Sequence, residues 1–568
     1  MSATVDGAPR PVLDQERRSV RAVLPTMIMT AMILVAAGCA LLLPLNGDVR
    51  FEAGVEQTSP RPVADTFTHR PLAYRLIMSA VFAPARLLGE SSRGFELAMQ
   101  ASALLLCVLA ALLLHRALTD RGLPTATTRP LAIAVGGCIG LQGAVSVWEP
   151  DWLALLLTAL AVSVGLLGRD DRRTWLPAAV GAGVLLAAAA SIKFVTLPIA
   201  LIGLVLITVL HRRRAIAATL AAGAAGIAGI GLTAWLWPRE LRWLAELSAL
   251  QPPNTEPVWR ALLGLGCALL AWPVTIMLPA ALSVLIAGRP ARVRLGHGAV
   301  AAVVLLLASL PAVVQQQFFI YHFVAFPVIT AAVLVLAVVR ADRRTAARLV
   351  IGTALAGLTT AVIIRLPAPW RVDHPAAFVT GLIAAMIIAV LIVRRPGRAS
   401  GPAPKMAVTA AAAVCCASMI GIVAPGPTGT APLSELPQTG LVNIYTAEAS
   451  DQRQESARQV RRLIGVDTPV LYLAFGDVNY FVRNPTPCDY PAAVWLQRAR
   501  YNPSVVDTTS YAENLACLDD PAPRFLLIDG GWFQLPKQPD QVQRLITTRY
   551  ACTDARKIDD LLICPRRP

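Results

Sequence analysis

The sequence predicts a polytopic α-helical membrane protein of about thirteen transmembrane helices, closed by an extracytoplasmic α/β domain at its C-terminus. Three observations carry that prediction. The 568 residues are 55% hydrophobic and 15% charged, too little charge to coat a soluble protein of this length. Several apolar stretches reach the roughly 18–20 residues that cross a hydrocarbon core. After Pro425 the apolar spans stop, a Pro-, Gly- and Thr-rich linker follows, and four cysteines are spread over a polar C-terminal region.

The formal net charge of +16 raises the question of nucleic acid, but the basic residues are distributed as a membrane protein distributes them. They cluster in alternate loops, the positive-inside pattern, where they also suit anionic lipid headgroups. No nucleic-acid partner is expected, and no Gly-rich phosphate loop marks a nucleotide site. Residues 1–23 form a polar tail with Arg17, Arg18 and Arg21 just before the first apolar run. That run is too long for a signal h-region, so it reads as a retained first helix with a cytoplasmic N-terminus in the plasma membrane.

The transmembrane region spans 24–425. Helix 1 (24–45) delivers the first outer loop and an interface helix, together 46–94. Within it, 71–88 is apolar but carries Arg75 and Arg86, a pattern for lying in the outer interface rather than crossing. Helix 2 (95–114) returns to His115, Arg116 and Arg121. Helix 3 (131–147) goes out to the turn Trp148-Glu149-Pro150-Asp151, and helix 4 returns to Arg169, Arg172 and Arg173. Helices 5 and 6 flank Ser191-Ile192-Lys193-Phe194 and end at Arg212, Arg213 and Arg214. Helix 7 (215–237) leads to an outer loop at 238–260, and helix 8 comes back to Arg289, Arg292 and Arg294. Helix 9 exits at 315–322, helix 10 returns to Arg340, Arg343 and Arg344, and helices 11 and 12 end at Arg394, Arg395 and Arg398. Helix 13 (406–423) exits for the last time, so the C-terminus lies outside.

Beyond the linker (426–440), residues 441–568 read as the α/β domain, with helical spacing at 456–464 and buried strands at 468–474 and 524–529. Cys488, Cys517, Cys552 and Cys564 are an even number in an outside domain, which suggests two disulfides with three open connectivities.

Polar residues that need explaining fall at outer helix ends. Asp48, just past helix 1, can stay ionised at a wet surface beside lipid and suits a general base; a solvated loop acid is the plainer reading. Glu149 and Asp151 cannot leave the bilayer surface, and acids there must be paired, hydrated or used; Asp151 could equally cap helix 4. Lys193 could meet a phosphate or snorkel. Tyr321 and His322 could contact a phosphate or sugar, or belong to an interfacial aromatic belt. His69 and Arg70 could bind phosphate or anchor the interface helix. The spans themselves are Ala, Leu, Val and Gly, without the polar or broken helices a transporter places near the midplane.

Taken together, Asn46-Gly47-Asp48, His69-Arg70-Pro71-Leu72-Ala73-Tyr74, Glu149-Pro150-Asp151 and Lys193 in Ser-Ile-Lys-Phe resemble the GT-C glycosyltransferases that use polyprenyl-phosphate sugars. The segment 468–487 is similar to that family's strand followed by a Tyr-Phe element. The usage of Ala, Arg and Pro looks actinobacterial. The resemblance implies a polyprenyl-phosphate mannose or arabinofuranose donor, and an envelope glycan, glycolipid or protein acceptor. It implies a single inverting displacement, with the base open among Asp48, Glu52 and Asp65, since Val49 stands where many members carry a second acid. His69, Arg70, Glu149, Asp151, Lys193, Tyr321 and His322 become the expected substrate-binding residues. No cofactor is expected with certainty; some relatives use a divalent metal, but no ligand cluster is visible. Two other classes remain: a flippase or transporter for a lipid-linked sugar, and a non-catalytic envelope-assembly protein.

Overall fold

The computed structural model describes residues 44–88, 91–142, 146–168, 171–250, 258–315, 318–363, 373–394, 405–419 and 446–568, with scattered positions between 27 and 41. The expected linker, part of helix 1 and the Arg17–Arg21 cluster lie outside them.

Apolar helices dominate. Among the described residues, six are long and apolar enough to cross a membrane, including Ser92–Asp120, Arg172–Ser191 and Arg212–Leu236. Shorter apolar helices, Pro150–Leu166 among them, pack between these. The chain is an integral membrane protein. The Lys193 junction lies between Arg172–Ser191 and the helix Leu197–Leu210, as expected.

One expectation fails. The run assigned to helix 8 is broken: Val258–Ala271 gives way to a 3-10 turn, Pro273–Met277, before Leu278–Ile286, with a bend of 101°. Pro273 lacks the amide that the helix ladder needs and disfavours helical geometry at Trp272. The signal was there in the Trp-Pro pair.

The first outer loop is also more ordered than its sequence indicates. Residues Gly47–Thr58 form a helix whose Asn46 side chain accepts the Asp48 amide at 2.9 Å. Both sides of this loop helix are covered. Val49 and Ala53 join the membrane core, whereas Phe51 and Val55 join the core of the C-terminal domain. Gly54 permits that contact, because a Cβ there would stand 2.4 Å from the Tyr480 amide nitrogen. A helix follows over Leu72–Leu88, the segment expected to lie in the interface.

The C-terminal domain carries a four-stranded sheet in the order β1-β2-β4-β3. Strands β1 (Val470–Leu473) and β2 (Phe525–Asp529) are the two expected from sequence and run parallel. The terminal hairpin β3 (Arg556–Ile558) and β4 (Leu561–Pro565) adds antiparallel to β2. Cys488 pairs with Cys517 and Cys552 with Cys564, which selects one of the three connectivities.

This domain is fastened to the membrane region rather than hung from it. Its core includes Phe67, Trp243 and Leu250 from two loops of the membrane region. Buried Arg50 of the loop helix reaches Glu96 at 2.8 Å, Asp477 at 3.4 Å and the Ser450 hydroxyl at 2.7 Å. Arg242 and Arg239 bind Glu513 at 2.7 and 3.2 Å, and Trp243 donates to the Tyr490 hydroxyl at 3.1 Å.

Candidate functional site

The C-terminal domain forms a roof over helix ends of the membrane region, and between them they line a cavity of about 590 Å³. Asp48, His69, Arg70, Lys193 and Tyr321, five of the residues singled out from sequence, line it. Phe475, Val494, Arg498 and Trp532 of the C-terminal domain complete the wall. At its edge stand Phe194 and Val314, 67% and 60% exposed, apolar surfaces that face lipid in a membrane protein.

Each polar group is placed by a local device. Asp48 sits in the first turn of the loop helix, where the helix end favours a negative group. Its carboxylate pairs with Arg70, whose side chain is almost completely buried while Asp48 keeps 25% of its own exposed. Arg70 also stands 3.8 Å from Glu149. His69 and Trp148 are two of the four described non-glycine residues with left-handed backbone, at φ 59° and 64°. They turn the chain sharply just before Arg70 and Glu149. The Tyr74 hydroxyl donates to the Trp148 carbonyl at 2.9 Å and ties the interface helix to that turn.

Glu149 is buried, with neither carboxylate oxygen accepting a hydrogen bond. Burial pushes its acid well up, and the charge of Asp48 adds to that. Asp151 lies beneath, 3.3 Å from His322 Nδ1, and the Gln315 amide nitrogen lies 3.2 Å from the His322 ring nitrogens. Asp151 and His322 therefore form a layer behind the cavity wall rather than part of its lining. Among the described residues, Lys193 has no carboxylate within ion-pair distance, and burial, helped by Arg70, brings its amine down to about 8. Burial likewise holds His69 well below its ordinary value, with Arg70, Lys193 and Arg498 all adding in the same direction. The histidine is thus neutral amid three cations.

The other two acids open to the role of base are placed differently. Glu52 lies one helical turn past Asp48 and is buried, and desolvation raises its acid to about 8. It does not line the cavity. Asp65 sits in the short turn Val63–Asp65, half-buried and away from the cavity lining. Asp48 is the carboxylate that the cavity reaches.

Among the described residues, no group of three or more His, Cys, Asp or Glu is placed to hold a metal ion. Asp48 and Glu149 both turn to Arg70, and Asp151 turns to His322.

Sequence reasoning missed the roof. Arg498 was unremarked, yet it lines the cavity with no ion-pair partner among the described residues. Phe475 and Trp532 do not stand out from the other aromatics of the C-terminal region in the sequence. Nothing in a single sequence distinguishes a core aromatic from one at a domain seam.

No known family profile matches the chain, and no curated protein matches it in sequence. Solved structures do match. The chain superposes on ArnT from Cupriavidus metallidurans, crystallised with undecaprenyl phosphate, at a TM-score of 0.51 and 16% identity, covering 96% of this chain and 98% of that one. An oligosaccharyltransferase from Archaeoglobus fulgidus, crystallised with zinc and sulfate, matches at a TM-score of 0.32 and 12% identity over 92% of this chain and 71% of that one, too distantly to argue from. The fold is the GT-C-like fold that the sequence motifs resemble.

Proposed function

We propose that this chain is a GT-C-type glycosyltransferase of the plasma membrane. It moves mannose or arabinofuranose from a polyprenyl-phosphate donor to an envelope glycan, glycolipid or protein acceptor on the outer face, with its N-terminus cytoplasmic and its C-terminal domain outside. The observation that carries this reading is one cavity, edged by lipid-facing residues, in which an accessible carboxylate, Asp48, stands with the cations Arg70, Lys193 and Arg498. The ArnT-like fold supports a donor delivered through the membrane.

The chemistry is a single displacement. The acceptor hydroxyl passes its proton to the Asp48 carboxylate as its oxygen attacks the anomeric carbon. The bond from that carbon to the donor's phosphate oxygen breaks on the opposite face, and the electron pair leaves with the phosphate. The configuration inverts. Arg70 and Lys193 face the charge that grows on the phosphate, so they stabilise the transition state more than the bound donor. Asp151 and His322 hold the wall behind them, and Tyr321 lines the pocket where the sugar must sit.

A flippase reading draws on the break at Trp272–Pro273, but the broken segment does not line this cavity. Membranes containing the protein, given radiolabelled decaprenyl-phosphate mannose or arabinose, separate the two. Transfer of label into acceptor with one donor, reduced about 10²–10⁴-fold in Asp48→Asn, is expected. Label that crosses the bilayer while still attached to its lipid, with no transfer, would replace the transferase reading.

A further inference from the structure

The C-terminal domain contributes a wall that neither the base nor the phosphate-facing cations account for. Phe475 lies two residues beyond the end of β1, and Trp532 three beyond the end of β2. These strands are parallel neighbours, and the space outside the carboxyl ends of parallel strands is where α/β sheets take their ligands. The two rings are stacked, with centroids 5.8 Å apart and planes 20° from parallel. Both are half-buried, and both line the cavity. Phe475 also contacts Phe51, at 4.6 Å, and His69, at 5.4 Å, so the plate abuts the loop helix that carries Asp48.

The plate is rigid. The Asp529 carboxylate accepts the Gly531 amide at 3.0 Å, and its carbonyl accepts the Phe533 amide at 2.7 Å, which fixes the turn presenting Trp532. Arg498 lines the same wall. Its guanidinium fork carries several donors and has no carboxylate partner among the described residues.

We infer that Phe475, Trp532 and Arg498 form the acceptor-sugar subsite. The aromatic plate packs against the C–H face of a pyranose or furanose ring, and Arg498 donates to its hydroxyls. The inference rests on the transferase reading. In an in-line displacement the acceptor approaches opposite the departing phosphate, next to the base. The donor phosphate, carried by a lipid, is met by Arg70 and Lys193 at the membrane helix ends. The soluble domain is left to face the acceptor. Flat aromatic surface combined with a few directed donors is the usual composition of a small-molecule site.

The test is binding of methyl glycosides of a mannose disaccharide and an arabinofuranose disaccharide to the full chain in detergent, read by saturation-transfer NMR on the sugar ring protons. Decaprenyl-phosphate binding is measured alongside. We expect one disaccharide to bind wild type, Trp532→Leu to weaken it about tenfold or more, and Trp532→Phe to restore most of it. Decaprenyl-phosphate binding should hold in both variants. Disaccharide binding that Trp532→Leu leaves unchanged would overturn the inference. So would a joint loss of disaccharide and decaprenyl-phosphate binding, or a wild type that binds neither disaccharide. Because the readout is binding, a failed transfer assay leaves this result interpretable and counts against the transferase reading alone.

Discussion

The two ends of the helix Pro150–Leu166 each meet a buried arginine, and they treat it in opposite ways. At the C-terminal end, Arg214 donates to the carbonyls of Gly165, at 3.1 Å, Gly168, at 2.9 Å, and Leu167. A cation there complements the helix end and uses up carbonyls that the helix leaves open. At the N-terminal end, Arg70 is divided between Asp48 and a distant Glu149 whose oxygens accept nothing. Among the described residues, neither Lys193 nor Arg498 has a carboxylate within ion-pair distance. Buried charge spent on the chain's own carbonyls, as that of Arg214 is, holds a fold together. Buried charge left partly unfilled around a cavity has capacity for something that is not part of the chain.

Arg75 sharpens the contrast, since it lies just five residues from Arg70 and belongs to the filled class. It donates to the carbonyls of Val63 at 2.7 Å, Thr66 at 2.6 Å and Arg70 at 3.1 Å, and pairs with Glu240. Glu240 in turn accepts the Leu72 amide at 2.8 Å. Arg75→Leu strands a buried carboxylate and is expected to cost about 3–5 kcal/mol, read as a lower unfolding midpoint in detergent. Adding Glu240→Leu should recover much of that loss. A single variant as stable as wild type would erase the distinction between the two kinds of arginine.

A smaller effect is expected from pH. The Lys193 amine is held down to about 8 by burial, so the cation is present below that value and disappears as pH rises through it. Transfer should fall above about pH 8, approaching tenfold per unit if the charge is essential. Lys193→Arg should move the fall to higher pH. A pH profile identical in wild type and Lys193→Arg would remove Lys193 from the reaction.

Much of this site was legible because topology does the gathering. Asp48, His69, Arg70, Glu149, Asp151, Lys193, Tyr321 and His322 all fall at helix ends that alternating basic loops assign to one face, and the fold brings them to one cavity or to the layer behind it. Asp65 falls on the same face but sits in a turn that points it elsewhere, and residue type could not separate it from Asp48. The loop helix Gly47–Thr58 was not legible as a helix. Its opposite sides are buried against two different cores, so the one-sided apolar stripe that betrays a surface helix is missing. The roof was hidden for a related reason: Phe475 and Trp532 carry the same signal as the core aromatics around them, and their role depends on contact with a loop more than 400 residues earlier in the chain.

The most direct test of the account compares two substitutions on one measurement, the affinity of the purified chain for decaprenyl phosphate. Asp48 competes with the phosphate for Arg70, whereas Lys193 supports it. Asp48→Asn should therefore bind decaprenyl phosphate at least as tightly as wild type, and Lys193→Gln should bind it about tenfold more weakly. Equal affinities in all three proteins, or a loss in Asp48→Asn as large as that in Lys193→Gln, would contradict the assignment of this cavity to the lipid phosphate.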